Sequence, residues 1–574
     1  MDKRHDEDRE LDVVVVGSGA AGLSAALTAA AGGARVAVLE KSAVLGGTTA
    51  MSGAGTWIPA NRHMLDAGLQ DSADEALAYL RAVAPDGWAE VEEPLWRAFV
   101  EHGAETLAFI ESRTPLEFEL VYHPDPYVEA PGGKVHGRML SPRPISHNIL
   151  GPWRDRIRPF TVRHLFTYRE IVVGPVLSRP LATLLRMAPT LVYRLLTRRV
   201  GMGNALVTGL VSGCLDHGVE IMAETPATRL LTEGPADRPA RVTGVEVNRR
   251  GRALVLRAAR GVVLATGGFE WDPALRAQHF PGEVGLIGSP RTNTGDGQRM
   301  AAAVGARLER MDQALIYPVL PIRYEGHRHA VPVADVYAPH CILVNRTGRR
   351  FLNEGRPNLG VVIDERAPAS GLPVHLPAWR IFDAQFARKN PVVMWLGRRD
   401  RGWLRRAGSV AELAEQIDIA PAVLSDTVAR FNEFARRGTD EDFHRGETVW
   451  EKFNTPDPGP EPGGNGALGT IRVPPFYAAP YDRAILATKG GPRTNERGQV
   501  LHEDGGVIAG LYCAGVAMAN PIGSKAAGAG STIGPCLTWG RICGLSLLDG
   551  EAAPPRTLSR TAAARPGPAT ERAG

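Results

Sequence analysis

Val13-Val14-Val15-Val16 is an unbroken β-branched run with no polar position. A run of that kind suits a strand of a parallel sheet buried on both faces. It passes at once into Gly17-Ser18-Gly19-Ala20-Ala21-Gly22, after which the apolar spacing is helical from Leu23 to about Ala31. A second apolar run over 35–39 predicts a second strand and ends at Glu40. Later, 221–230 reads as a strand edge, 261–269 as a strand entering an Ala-Thr-Gly-Gly turn, and 510–515 as a strand ending in glycine. The intervening chain predicts a helix over 298–305, a strand over 341–345 with a turn at 346–348, and one helical stretch over 409–437. That stretch starts at Ser409, an N-cap, with Glu412 in the position of a capping box. Residues 455–468 are rich in Pro and Gly and predict a linker loop.

Strand, glycine turn, helix and second strand together give each glycine a task. Gly17 permits the tight turn, Gly19 lets a pyrophosphate approach the backbone, and Gly22 lets helix and strand pack closely. The helix N-terminus, with Ala20 and Ala21, then faces the phosphates. Glu40, 18 residues beyond Gly22, is placed to accept from a ribose hydroxyl. Lys41 and the small, hydroxyl-rich segment Gly46, Gly47, Thr48, Thr49, Ser52 and Gly53 suit a longer cofactor lying across the domain, which resembles an FAD site. Ala227 falls on the adenine side, and Ala265, Thr266, Gly267, Asn293, Asp296 and Gly515 fall at the later turns. A helix beginning near Ser531, with Thr532 and Ile533, would aim N–H groups at a flavin carbonyl.

The chain has 574 residues, enough for two to four structural units. Its formal charge of +4, from 66 basic and 62 acidic residues, argues against a nucleic-acid binder. Five scattered cysteines form no CxxC pair, and no metal-ligand cluster stands out, so no metal site is expected. The charged start MDKRHDEDRE is no secretory signal, and no apolar run reaches 18 residues, so the chain reads as cytoplasmic. The stretch 171–200 mixes apolar and Arg residues and predicts a helix pair broken at Pro180. Its functional alternative is peripheral membrane contact or an apolar substrate entrance.

The motifs GGTTAMSGAGTWIPAN, EAPGG at 129–133, ATGGFEWD at 265–272, NTGDG at 293–297, LVNRTGRRFLNE at 343–354, TKGG at 488–491 and GAGSTIGP at 528–535 keep one order. Over roughly 10–548 the chain resembles the FAD-dependent fumarate reductase/succinate dehydrogenase flavoproteins, and within them the 3-ketosteroid Δ1-dehydrogenase branch. The resemblance implies an α/β fold: a Rossmann-like FAD-binding domain (1–274 and 481–552) with an inserted α+β catalytic cap (275–480) and a flexible tail (553–574). No His lies between Lys41 and Arg62, so the FAD is expected to be non-covalent.

In the branch, a hydride passes to flavin N5, one tyrosine takes a proton from the neighbouring carbon, and a second tyrosine and a backbone N–H polarise the ketone. Here the three tyrosine positions fall at Ala526, Asn358 and Pro126, with Tyr127 adjacent to the last. Gly530 keeps the backbone N–H. Candidates for the lost chemistry are Lys525, Tyr127, Asn358, Arg356 and Tyr337, with Tyr317, His340 and Lys489 nearby in motif order. Arg349 and Arg350 read as structural charges of a turn. The expected activity is desaturation of a C–C bond next to a ketone on a bulky apolar, steroid-like or polycyclic substrate, with an electron acceptor that no motif specifies. Reduction of an activated alkene in the manner of fumarate reductases, and flavin-dependent isomerisation, are the alternatives.

Overall fold

The computed structural model describes residues 9–159, 164–174, 176, 179–234, 240–332, 337–400, 402–455 and 459–550. The expected tail over 553–574 lies outside the described residues, as do 175, 177 and 178 of the apolar stretch and 456–458 of the expected linker.

The β-branched run forms the buried end of the strand Arg9–Val16. This strand lies inside an eight-stranded sheet. It pairs in parallel with Val36–Leu39 on one side, Val13 opposite Val36, and with Arg252–Leu264 on the other, Val14 opposite Val262. Glu220–Met222 extends one edge in parallel. Val507–Cys513 extends the other through Val262 opposite Leu511, so strands nearly 500 residues apart share one sheet. Burial on both faces explains why Val13–Val16, Val36–Leu39 and Val262–Leu264 do not alternate in polarity.

The helix Ala20–Ala31 and the last helix, Ile533–Asp549, pack together at close range. A Cβ on Gly540 would stand 2.2 Å from the Ala21 carbonyl oxygen, and Ser24 Oγ donates to the Leu537 carbonyl at 2.7 Å. Small residues on both helices thereby tie the two ends of the chain into one core.

A separate four-stranded antiparallel sheet runs in the order Cys341–Val344, Trp379–Phe382, Phe476–Pro480, Arg405–Ala407. Ile342, Val344, Ile381, Leu424 and Phe431 form its core. Arg350 of the FLNE motif is buried against Glu354 and Asp440, each at 2.8 Å from Nη2, while Arg349 is exposed. We propose that 275–480 forms the inserted unit between the two parts of the FAD domain; the separate sheet and core support that division.

Two expectations change, and the helix pair broken at Pro180 is found as expected. The stretch over 409–437 is two helices, Val410–Glu415 and Pro421–Arg437, because Pro421 cannot continue a preceding helix and opens a new one. Ser409 caps the first, but Glu412 accepts from Gly408 N rather than closing a box on Ser409. The strand edge over 221–230 is two strands, Glu220–Met222 and Ala227–Glu233. The apolar stretch gives helices Tyr168–Val173 and Pro180–Leu196, and the second is a surface helix. Its Leu181, Leu185 and Leu196 are 76%, 79% and 80% exposed. No helix among the described residues is long and apolar enough to cross a membrane.

Candidate functional site

The parallel strands end at a common edge, and a cleft with about 770 Å³ of empty space opens there. Such an edge, where strand ends meet helix N-termini, is the usual place for a nucleotide in an open α/β sheet. Its lining includes Gly17, Gly19, Ala20, Ala21, Glu40, Lys41, Gly47, Thr48, Thr49, Ala227, Ala265, Thr266, Gly267, Asn293, Asp296 and Gly515. Val16, Ser18, Leu39, Thr225, Thr292, Val516 and Cys536 line it too and were not singled out from sequence.

The backbone is shaped for close approach. Gly17 has φ +114°, and a Cβ there would sit 2.2 Å from the Ala265 carbonyl oxygen. At Gly47 a Cβ would meet nothing within 4 Å, so its backbone faces open space. Ser18 Oγ donates to Glu40 Oε2 at 2.6 Å and accepts from Gly46 N at 2.9 Å. Ser42 N donates to Glu40 Oε1 at 2.8 Å. Each carboxylate oxygen retains a further lone pair for a ribose hydroxyl. Lys41 Nζ donates to Asp296 Oδ2 at 2.6 Å and to Thr294 Oγ1 at 2.8 Å. Burial pushes the Cys536 thiol up to about 11, so it serves as a small apolar wall. A buried acid at a strand end, a glycine turn and an open cleft fit FAD.

Seven expected cofactor residues stand off the cleft lining: Gly22, Gly46, Ser52, Gly53, Ser531, Thr532 and Ile533. A Cβ on Gly22 would stand 2.0 Å from the Gly17 carbonyl oxygen, so it is the close-packing glycine of the turn. Gly46 packs on Ala50 and Val207 in the left-handed region. Gly53 and Gly55 lie under the ring of Tyr168, and Gly55 also backs onto Gly530. Thr532 Oγ1 accepts from Lys489 Nζ at 2.9 Å. Lys489 is buried, and burial pulls its ammonium down to about 8.

Beyond the cleft, the three departures from the tyrosine pattern meet at one place. Asn358 has φ +56°, a left-handed conformation that asparagine tolerates. Its Nδ2 donates to Tyr127 Oη at 3.1 Å and to the Ala526 carbonyl at 3.0 Å, and its Oδ1 accepts from Ala526 N at 3.0 Å. Lys525 Nζ lies 4.9 Å from the centre of the Tyr127 ring. Arg356 stands beside the Tyr127 hydroxyl. Burial pushes the Tyr127 phenol up, while Asn358 and Arg356 pull it down.

The segment holding Lys525 is pinned along its length. Asn520 Oδ1 accepts from Ile522 N and Gly523 N, Ser524 Oγ donates to Gln313 Oε1 at 2.8 Å, and the Ala527 carbonyl accepts from Tyr79 Oη at 2.8 Å. Gly530 follows with φ +98°; a Cβ there would stand 2.4 Å from the Gly55 carbonyl carbon and oxygen.

Tyr337 is not part of this group. It is buried, hydrogen-bonded to Tyr317 and edge-on to Trp450 at 6.1 Å. His340 Nδ1 donates to the Thr470 carbonyl at 2.8 Å, a structural bond. Tyr168, over Gly53 and Gly55 and electrostatically coupled to Tyr317, went unnoticed in the sequence. It opens a helix whose Thr167–Glu170 capping box marks a helix start, but nothing local places its ring over Gly53 and Gly55.

A family model described as an FAD binding domain matches residues 12–533. The 3-oxosteroid 1-dehydrogenase of Mycolicibacterium smegmatis is 35% identical, with 94% of this chain and 97% of that protein covered. The 4-oxocyclohexanecarboxylate 2-dehydrogenase of Sinomonas cyclohexanicum is 34% identical, covering 94% and 93%. The crystal structure of 3-ketosteroid delta1-dehydrogenase from Sterolibacterium denitrificans, in complex with 1,4-androstadiene-3,17-dione, is similar with a TM-score of 0.84 and 33% identity. It covers 94% of this chain and 99% of that one.

Proposed function

The chain belongs to the FAD-binding-domain family of flavoproteins, and from that premise we propose that it desaturates a C–C bond next to the ketone of a cyclic, apolar-bodied substrate. Desaturation breaks two C–H bonds and forms one C=C bond: one hydrogen leaves with its electron pair, the other as a proton. Bound FAD supplies the acceptor for the hydride. The chain's own residues must bind the ring, polarise the ketone and take the proton.

The observation that carries this reading is the meeting of Tyr127, Asn358 and Lys525 beside the Gly530 loop. Tyr127 is the proton acceptor in this account. Burial holds its phenol above the ordinary value, and Asn358, which donates into its oxygen, and Arg356 beside it offset part of that rise as the proton is exchanged. The Gly530 N–H polarises the ketone from a loop that Gly55 holds in place. Cofactor-binding roles for Glu40, Lys41 and the glycine turn are proposed on the same footing, from the cleft geometry. Replacing Tyr127 by Phe tests the assignment. It should lower kcat on a cyclic ketone by about a hundredfold or more while FAD content holds; an unchanged kcat would remove Tyr127 from the mechanism.

Reduction of an activated alkene is the weaker reading, since the fumarate reductase likeness is 21–23% identical and speaks to fold.

We also propose that Pro180–Leu196 contacts an anionic lipid surface. Leu181, Leu185 and Leu196 stand exposed beside exposed Arg186 and Arg198, the composition of an interfacial helix. Co-sedimentation with phosphatidylglycerol vesicles, lost in a Leu181/Leu185/Leu196→Ser variant, supports this; equal sedimentation of both forms contradicts it.

A further inference from the structure

Arg356 and Lys525 flank one phenol, Tyr127, from two different segments of the chain. Both cations are partly buried, and they repel one another: Arg356 lowers the Lys525 ammonium's affinity for its proton, after the larger effect of burial. Neither forms an ion pair with an acidic side chain among the described residues, although this chain pairs most of its other half-buried arginines. Asp86 acts on Lys525 electrostatically but forms no ion pair with it. Two like charges drawn together without a counter-ion cost stability unless something negative sits between them. Asn358 uses both its amide atoms on Tyr127 and Ala526, so it does not neutralise either cation.

We infer that the substrate carries an anionic group, a carboxylate on the ring or on a short side chain, held between Arg356 and Lys525. The two supply complementary recognition: a planar fork for a bidentate contact and a point charge on a flexible stem. The ketone remains at Gly530 and the proton at Tyr127, so the inference rests on the desaturation reading and adds a second anchor to it. The two cations narrow the substrate class from apolar ketones at large to oxo acids. Both cations stand at Tyr127, the proton acceptor, so the anionic group lies close to the reacting carbons, on a small ring or its near substituents.

The test uses the FAD-loaded full chain with 4-oxocyclohexanecarboxylate and its neutral methyl ester. The readouts are anaerobic flavin bleaching and, separately, binding by calorimetry. The acid should exceed the ester in kcat/KM by about tenfold or more, and the ratio should fall toward one in Lys525→Met and in Arg356→Met. Lys525→Arg, which keeps the charge, should retain most of the preference. If the ester is oxidised as well as the acid, or the preference survives in both Met variants, the anion site is wrong and the desaturation reading stands. If the acid binds tightly, more weakly to both Met variants, yet bleaches nothing, the anion site stands and desaturation fails. Absence of both binding and bleaching overturns the anion site.

Discussion

The side-chain amide of Asn358 is paired with the backbone of Ala526, donating to its carbonyl and accepting its N–H, each at 3.0 Å. Two positions 168 residues apart in sequence, both departures from the tyrosine pattern, are thus one hydrogen-bonded unit. The unit fixes the segment that carries Lys525 toward Gly530. Asn358→Ala removes both bonds and the donor to Tyr127, with each bond contributing about 1 kcal/mol. We expect kcat/KM on a cyclic ketone to fall by about tenfold or more with FAD content unchanged. An unaltered kcat/KM would mean the unit is packing alone.

Gly530 occupies a backbone conformation and a space that exclude a side chain. Gly530→Ala must push the loop off Gly55, and a displacement on the order of 1 Å at a reacting centre costs about a hundredfold in rate. Steady-state assays should show that loss mainly in kcat, because the loop positions the ketone rather than the ring body. A loss in KM alone would place the loop outside the chemistry.

Lys489 is buried with its proton held to about 8. In the unfolded chain a lysine titrates near about 10.4. Between those values the unfolded chain binds more protons than the folded one, so stability of the FAD-free protein rises with pH across that window. The gain is about 3 kcal/mol at most, and below the window the folded state bears the full cost of burying the charge. Thermal unfolding of the FAD-free wild type should shift downward relative to Lys489→Met as pH is lowered from about 10.4 to about 8, and the difference should level off below about 8. A constant difference between the two proteins across the window would contradict the buried-charge account.

Arg138 is buried between two acids, donating to Asp71 at 2.7 Å and 2.8 Å and to Asp125 at 2.9 Å. Asp125 in turn accepts from Trp57 Nε1 at 2.8 Å, two residues before Tyr127. Arg138→Met leaves Asp125 buried without its ion pair and Asp71 with only Lys134 at 4.0 Å, which costs about 3–5 kcal/mol. Calorimetric unfolding should show a clearly lower Tm. A Tm within about 1 °C of wild type would show that the network is dispensable for holding this loop.

The dinucleotide half was legible because its signals are local: four β-branched residues, a glycine turn and an acid lie within one stretch from Val13 to Glu40, and the fold places them where their spacing requires. The substrate half was legible only as separate positions. Tyr127, Asn358 and Lys525 each stood out by motif, but Tyr127 and Asn358 are 231 residues apart and nothing local says that they touch. Tyr337 looked equivalent to them and is instead bound to Tyr317 in the neighbouring core. Tyr168 carried only the helix-start signal of its Thr167–Glu170 capping box, because its place over Gly53 and Gly55 depends on how a distant helix is laid across that loop. The break before Pro421 was visible in the sequence as a proline, and the strong helical spacing around it hid the break.

The most direct test of the account is anaerobic mixing of the FAD-loaded protein with a 3-oxosteroid and with monocyclic ketones, charged and neutral, while the oxidised flavin band is followed. The account predicts that at least one cyclic ketone bleaches the band, with one equivalent of the α,β-unsaturated product per flavin. No bleaching by any ketone, together with rapid reoxidation of the dithionite-reduced protein by an activated alkene, would contradict it.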